Sequence, residues 1–271
     1  WFCFFRKVVF VRVHVDAVLA TLNMSTDLTP NKNIPLPSKT LIKAIRNGSQ
    51  NWECGDTLLL LACRYGHCAA AKSLLVGANL EYKNCSGQHN ALHEAVLSEN
   101  LETVQAILNE NVNVDALKLA GWTPLHLACA KGTAKEIVAE LLTKGAVPTI
   151  KNKDGWNALM LAARSGSEDV VKLILSVAPR AWCVRTNNNR TPLMTAALHD
   201  NVDVVRLLAT HQQGQGLDVT DYCGRTMLHN AIIGGSLGAV EILLQTTPPT
   251  PTTTLSTPTS TTSTSSSSSS T

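Results

Sequence analysis

The sequence is poor in aromatic residues and in charge. Phe, Trp and Tyr make up 4% of its 271 residues, and Asp, Glu, Lys and Arg make up 16%. So few aromatic side chains exclude a row of stacking platforms for single-stranded nucleic acid. A formal net charge of +3 is too small to indicate nucleic-acid binding by itself.

Long apolar runs are also missing. Residues 1–23 contain apolar stretches, but Arg6, Lys7 and Arg12 interrupt them. No run approaches the roughly 18 residues that a membrane span needs, and the segment is too broken for a secretory signal. We therefore expect no membrane insertion and interpret residues 1–23 as sequence upstream of a natural start at Met24, or as part of a longer chain.

The eight cysteines are scattered and include no CxxC pair. Such a pattern is typical of reduced thiols, so we expect an intracellular protein of the cytoplasm or nucleus. Cys63, His67 and Cys68 lie close in sequence, but no second ligand pair follows at zinc spacing. We therefore predict no metal site and no cofactor.

One motif recurs about every 33 residues, and such a period is typical of a solenoid with a binding surface. Its clearest copy is Gly-Trp-Thr-Pro-Leu-His-Leu-Ala at residues 121–128. The other copies begin at Gly55, Asn90, Gly155, Asn189 and Gly224.

Each copy predicts two short helices. In the clearest one, Thr123 can cap a helix and Pro124 fits its first turn. Leu125, Ala128 and Cys129 then share one face. A second apolar stripe follows over residues 137–142, and neither helix is long enough to be stable by itself. The units must therefore stack on their neighbours.

Thr123-Pro124-Leu125-His126 resembles the signature of the ankyrin-repeat family. The resemblance implies an all-α solenoid of helix-turn-helix units with short hairpin-like loops. Six repeats are predicted, at 51–84, 85–117, 118–151, 152–185, 186–220 and 221–245. They form a domain at 51–245, preceded by a degenerate N-terminal cap at 38–50.

The flanking segments have a different composition. Residues 1–37 are predicted to be a non-repeat segment, disordered or upstream of the natural protein. Residues 246–271 are Thr, Ser and Pro apart from Leu255, which predicts a disordered tail. The last predicted helix has one charged residue, Glu241, so we expect either further repeats or a frayed end.

His93, His126 and His229 recur at one position of the repeat. A catalytic histidine needs a partnered nucleophile or acid, and the repeats offer none. The resemblance implies instead that this histidine orders the loop through hydrogen bonds. We predict no enzymatic activity and no small-molecule substrate.

The resemblance implies a concave face formed by the loop tips and the outer side of each first helix. The candidate partner-binding residues on that face are Arg64, Tyr65, Trp122, Lys131, Lys153, Trp156, Arg164, Arg190, His199, Tyr222 and Arg225. The same mapping adds Asp56, His89, Ser98 and Ser165. Since Trp, Tyr and Arg are enriched at binding hot spots, we predict a partner protein with acidic and apolar groups. Alternatively, Trp122 and Trp156 pack on the neighbouring loop tips.

The predicted function is that of an adaptor or scaffold for protein–protein interaction. An alternative is the targeting module of a larger protein, such as a channel, a ubiquitin-ligase subunit or a kinase. A basic face also allows nucleic-acid binding, which would weaken steeply with salt. The sequence gives no indication of oligomeric state.

Overall fold

A computed structural model describes residues 57–132, 135–212, 215–216 and 218–246. The predictions for residues 1–37, for the cap at 38–50 and for the tail after residue 246 lie outside these residues. Within the described ranges, no helix is both long and apolar enough to cross a membrane.

The described chain consists of helices joined by loops, with no strand among its residues. Six first helices are α1 Leu58–Arg64, α3 Ala91–Leu97, α5 Pro124–Lys131, α7 Ala158–Ser165, α9 Pro192–Leu198 and α11 Met227–Ile233, counted over the described ranges. The second helices that follow them are α2 Cys68–Leu75, α4 Leu101–Leu108, α6 Lys135–Thr143, α8 Glu168–Val177, α10 Val202–Gln212 and α12 Leu237–Thr246.

The helix pairs stack in chain order. Each first helix packs on its own second helix and on the first helices of the adjacent pairs. The second helices stack in the same way, from α2 through to α12. This arrangement confirms the predicted all-α solenoid, in which each unit contacts its neighbours.

Side-chain caps explain why the first helices begin where they do. The Thr123 hydroxyl accepts the backbone N–H of His126, and Pro124 occupies the first turn. Thr57, Asn90, Asn157, Thr191 and Thr226 cap the other first helices in the same way. The helix after Thr123 ends at Gly132, whose φ of +73° favours a residue without a Cβ.

The core runs along the stack between the two layers of helices. Its fully buried side chains include Leu92, Leu125, Leu159 and Leu193, which occupy one position of successive repeats. Cys63 and Cys129 are also fully buried and free. They act as small apolar packing residues, and burial raises the pKa of both thiols.

An irregular join separates the fourth pair from the fifth. A 3-10 turn at Ala181–Cys183 occupies this segment, where the third repeat has Gly145-Ala146, and Ala181 is buried against the stack. The ring of His211 donates to the carbonyl of Pro179 at 3.1 Å, which ties the long helix α10 to this join. The departure of the sequence from the repeat is therefore accommodated locally.

The repeated histidine links neighbouring repeats. The backbone N–H of Thr123 donates to His126 Nδ1, so the ring proton lies on Nε2. His126 Nε2 in turn donates to the carbonyls of Ile150 and Trp156, at 3.1 and 3.2 Å. His93 Nε2 donates to the carbonyl of Trp122 at 3.2 Å. Burial keeps both rings neutral, because it lowers the pKa of His126 and lowers that of His93 to about 4. Through these bonds the histidine orders the loop, as the resemblance implied.

A second set of links joins the loops. Backbone N–H groups donate to carbonyls of the preceding loop in four successive bonds of 3.0 to 3.2 Å: Leu119 to Gly87, Lys153 to Ala120, Asn187 to Asp154, and Tyr222 to Asn188. These bonds hold equivalent residues of adjacent loops side by side.

We expect His126→Ala to destabilise the fold by about 2–4 kcal/mol, because it removes two hydrogen bonds to loop carbonyls and leaves a cavity behind. The free energy of unfolding in urea measures the loss. His229→Ala is the matched control: among the described residues, the His229 ring bonds to Thr226 of its own repeat and to no other repeat. Equal losses for both variants would contradict a linking role.

Candidate protein-interaction surface

A large polar or aromatic residue directly precedes the capping residue of the first helix in successive repeats. His89, Trp122, Trp156, Arg190 and Arg225 hold this position in successive repeats. Because the inter-loop hydrogen bonds hold the loops in register, these side chains form one row. Four of them were predicted as binding residues, and His89 was assigned to the same face. Asp56, the equivalent residue of the first repeat, lies outside the described residues.

Trp122 and Trp156 are half-buried and pack against the core. Each indole carries a cation over its ring: Lys118 Nζ lies 5.7 Å from the centroid of Trp122, and the Arg164 guanidinium carbon lies 5.8 Å from that of Trp156. Trp122 also meets the ring of His126 edge-on. Both tryptophans thus contribute packing and still present part of the ring at the surface.

Arg190 and Arg225 flank one buried carboxylate. Asp221 Oδ1 accepts the backbone N–H groups of Cys223 and Arg225. Its Oδ2 lies 3.5 Å from Arg190 Nε and 3.6 Å from Arg225 Nε. Burial alone would raise the pKa of Asp221, but the two backbone donors and the two guanidinium charges lower it.

His199 connects this cluster to the fourth repeat. Burial lowers its pKa, and the charges of Arg164 and Arg190 lower it further. Among the described residues, no carboxylate lies within ion-pair distance of Arg164. We call Trp156, Arg164, Arg190, His199 and Arg225 the basic strip. The strip carries three guanidinium groups, and the carboxylate of Asp221 lies near two of them, those of Arg190 and Arg225.

The other predicted site residues lie outside the basic strip. Lys131 Nζ donates to the carbonyl of Leu97 and to Glu99, both at 2.7 Å, so it already has partners in the preceding repeat. Lys153 is exposed. Tyr65 and Tyr222 are exposed, in the first and the sixth repeat respectively.

Arg64 forms an ion pair that links the first repeat to the second. Its guanidinium donates to both oxygens of Glu94, at 3.0 and 2.8 Å, and His89 Nδ1 lies 3.0 Å from Oε1 of the same carboxylate. Glu94 is buried. Arg64 thus has a structural partner, although it was predicted as a binding residue.

Sequence reasoning missed three residues of this surface. Glu94, Lys118 and Asp221 were assigned no role, yet they hold Arg64, Trp122 and the arginine pair in place. The available signal was a charge at a position that is uncharged in the other repeats, since Glu94 stands where they have Leu61, Leu127, Leu161, Thr195 and Asn230.

The described residues offer no constellation for metal chemistry. No group of three or more His, Cys, Asp or Glu side chains among them could hold a metal ion. His67, one member of the Cys63–His67–Cys68 cluster, lies at the turn between α1 and α2. Buried Cys63 belongs to the core.

Comparison with known proteins identifies the class. The family described as ankyrin repeats matches residues 38–118, 92–181 and 179–252. These matches cover most of the sequence, so the chain belongs to the ankyrin-repeat family. Such repeats mark it as a protein-interaction module.

Individual relatives match only part of the chain. Protein phosphatase 1 regulatory subunit 27 from Homo sapiens is 45% identical over 64 residues, which are 24% of this chain and 41% of the relative. The Mus musculus protein of the same name is 43% identical over 64 residues, with the same coverage of 24% and 41%. Putative ankyrin repeat protein FPV024 of Fowlpox virus (strain NVSL) is 29% identical over 114 residues, 42% of this chain and 19% of the relative. The chain thus spans less than half the length of each of these relatives.

The Arg64–Glu94 pair predicts a pH dependence of stability. Burial would raise the pKa of Glu94, but Arg64 and His89 outweigh it and lower the pKa from 4.5 to about 2. A depressed folded-state pKa means that the pair stabilises the fold fully above pH 4.5 and loses this effect as pH falls toward 2.

We therefore expect Glu94→Gln to cost about 1–3 kcal/mol at neutral pH, since Arg64 is partly exposed. The difference from the unmodified protein should shrink as pH falls through that window, as measured by urea unfolding at several pH values. Glu102→Gln, at an exposed carboxylate, is the control and should change little. A difference that stayed constant between neutral and acid pH would show that the ion pair is not its source.

Proposed function

We propose that the chain is a non-catalytic adaptor whose basic strip binds an acidic segment of a partner protein. The observation that carries this proposal is the unbalanced charge of the strip. Arg190 and Arg225 share one buried carboxylate, Asp221, and among the described residues Arg164 has no carboxylate within ion-pair distance. Arg164 stacks on Trp156 instead of pairing with an acid.

The chemistry of the basic strip favours an acidic and partly apolar ligand. Arginine presents a planar set of donors that matches a carboxylate or phosphate in two bonds. The guanidinium of Arg164 lies over an indole, so a carboxylate binding to it would also contact apolar surface. Trp and Arg are the side chains most enriched at interface hot spots.

The direction of the stack supports a protein segment as the occupant. The strip extends over three repeats, because Trp156 and Arg164 belong to the fourth, Arg190 and His199 to the fifth, and Arg225 to the sixth. An extended or helical segment can follow such a row and contact several repeats at once. Trp122 continues the row into the third repeat, and Lys153 adds an exposed cation in the loop of the fourth repeat.

The relatives provide one specific candidate partner. Two proteins similar to this chain are named as regulatory subunits of protein phosphatase 1. We therefore include protein phosphatase 1 among the partners to be tested. A role as the targeting module of a larger protein is compatible with the same strip. The free buried thiols Cys63 and Cys129 are in keeping with an intracellular site of action.

To test the proposal, the full chain is used as bait in cell extract, beside the double variant Arg164→Gln/Arg190→Gln. The affinity of each captured protein, and of purified protein phosphatase 1, for the unmodified chain and for the double variant is then measured by calorimetry. We expect the double variant to bind the partner at least about tenfold more weakly, because two charge-assisted contacts are lost.

The matched control is Arg206→Gln, which removes one exposed arginine from the second helix α10, outside the basic strip. Circular dichroism checks that all variants fold. Partners that bind the double variant and the unmodified chain equally would contradict the assigned surface. Binding of RNA or DNA that weakens steeply with salt would favour the nucleic-acid alternative.

A further inference from the structure

The three arginines of the basic strip come from successive repeats and are grouped around Arg190. On one side, Arg190 and Arg225 approach the same oxygen, Asp221 Oδ2, at 3.5 and 3.6 Å. On the other side, Arg164 lies in the last turn of α7, and His199 caps the end of α9, which packs on α7. Burial lowers the pKa of His199, and the charges of Arg164 and Arg190 lower it further, so both guanidinium groups lie near this ring.

Arg190 has unused hydrogen-bond donors. Its Nε is buried without a hydrogen-bond partner, and so is Asp221 Oδ2, because the two atoms form an ion pair without a hydrogen bond. Even a direct bond between them would use only one of the five N–H donors of a guanidinium group. Within the described part of the chain, the guanidinium of Arg190 donates no hydrogen bond. Buried donors in folded proteins are usually paired, so this one indicates an acceptor that a ligand provides.

Arg164 also has donors available for a ligand. It is exposed, and its guanidinium carbon lies 5.8 Å from the ring centroid of Trp156. A contact with the face of an indole does not consume the N–H donors, which lie in the plane of the guanidinium group. An oxyanion can therefore bind to Arg164 while the contact with Trp156 is kept.

The number of donors favours a phosphate monoester over a carboxylate. A single guanidinium group can satisfy both oxygens of a carboxylate. A phosphate monoester carries a charge of about −1.5 to −2 at neutral pH and has three strong acceptor oxygens. It can therefore accept hydrogen bonds from several guanidinium groups at one point. Recognition of phosphorylated segments by clusters of arginine recurs among peptide-binding proteins.

We propose that Arg164, Arg190 and Arg225 bind a phosphorylated side chain in the segment of the partner protein. This inference rests on the function proposed above and narrows its acidic group to a phosphate monoester. Arg190 provides the central contact, with Arg164 and Arg225 on either side of it. Trp156 then lies beside the residues that flank the phosphate. Binding to the strip is consequently regulated by phosphorylation of the partner.

The first test compares two small probes that share one ring, phenyl phosphate and benzoate. Each is titrated into the isotopically labelled full chain to about 50 mM, and the signals of the arginine side chains are followed by NMR. Such a range detects the millimolar affinity expected of so small a ligand. We expect phenyl phosphate to shift the signals of Arg164, Arg190 and Arg225. Its dissociation constant should be at least about tenfold below that of benzoate.

Substitutions then assign the binding to these residues. Arg164→Gln should raise the dissociation constant of phenyl phosphate at least about fivefold, and it leaves Asp221 with both of its arginines. Arg190→Gln should have a larger effect, because it removes the central contact, and circular dichroism checks that it folds. Arg206→Gln, at an exposed arginine of α10, is the matched control and should bind like the unmodified chain.

The possible outcomes separate this inference from the proposed function. Equal affinity for the two probes would overturn the preference for phosphate and leave an acidic partner segment in place. No shift of these arginines by either probe would contradict both proposals. Shifts caused by single-stranded RNA, with phenyl phosphate bound no better than benzoate, would assign the arginines to nucleic acid instead.

A partner captured by the full chain provides the second test. Its affinity is measured by calorimetry before and after treatment with alkaline phosphatase. We expect the removal of phosphate to weaken binding at least about tenfold. The same treatment should have little effect on binding to the double variant Arg164→Gln/Arg190→Gln. A partner that requires the basic strip and binds equally well after dephosphorylation would overturn the inference.

Discussion

The fold depends on stacking between neighbours, because none of the helices in the described part of the chain is long enough to be stable alone. The first helices have seven or eight residues, about two turns. Each buries its apolar side against the helices before and after it, and the loops are joined by backbone hydrogen bonds from one repeat to the next. Stability and binding surface therefore have the same origin. The contacts that bury the core also hold the loop side chains in one row.

This constraint explains why polar residues can occupy buried positions. His93 and His126 donate to the carbonyls of Trp122 and Trp156 in the following repeat, so their buried ring N–H groups are satisfied. Glu94 is tolerated inside the stack because Arg64, thirty residues earlier, provides a two-bond partner from the adjacent repeat. In each case a polar group is stabilised by a neighbour in the array.

Much of the fold could be predicted from the sequence, because its local signals recur. The capping role of Thr123, the end of its helix at Gly132 and the burial of Cys63 and Cys129 all follow from one repeat pattern. Pairings across repeats could not be predicted. The ion pair of Glu94 and the position of Asp221 between two arginines depend on which side chains stacking brings together.

The sequence predicted the candidate surface as a set of positions. The contacts in the structure differ from one of these positions to another. Arg64 and Lys131 have acidic partners from a neighbouring repeat, whereas Arg164 rests on Trp156. Trp122 and Trp156 serve packing and are also partly accessible, so the two interpretations of these residues are compatible. What remains available for a partner is concentrated in repeats four to six.

The central claim is that a partner binds along the basic strip. Hydrogen–deuterium exchange of the chain, free and saturated with a captured partner, tests it most directly. The account predicts slower exchange in the loops and first helices around Trp156, Arg190 and Arg225, with little change in the second helices α2, α4 and α6. Protection confined to those second helices would contradict it.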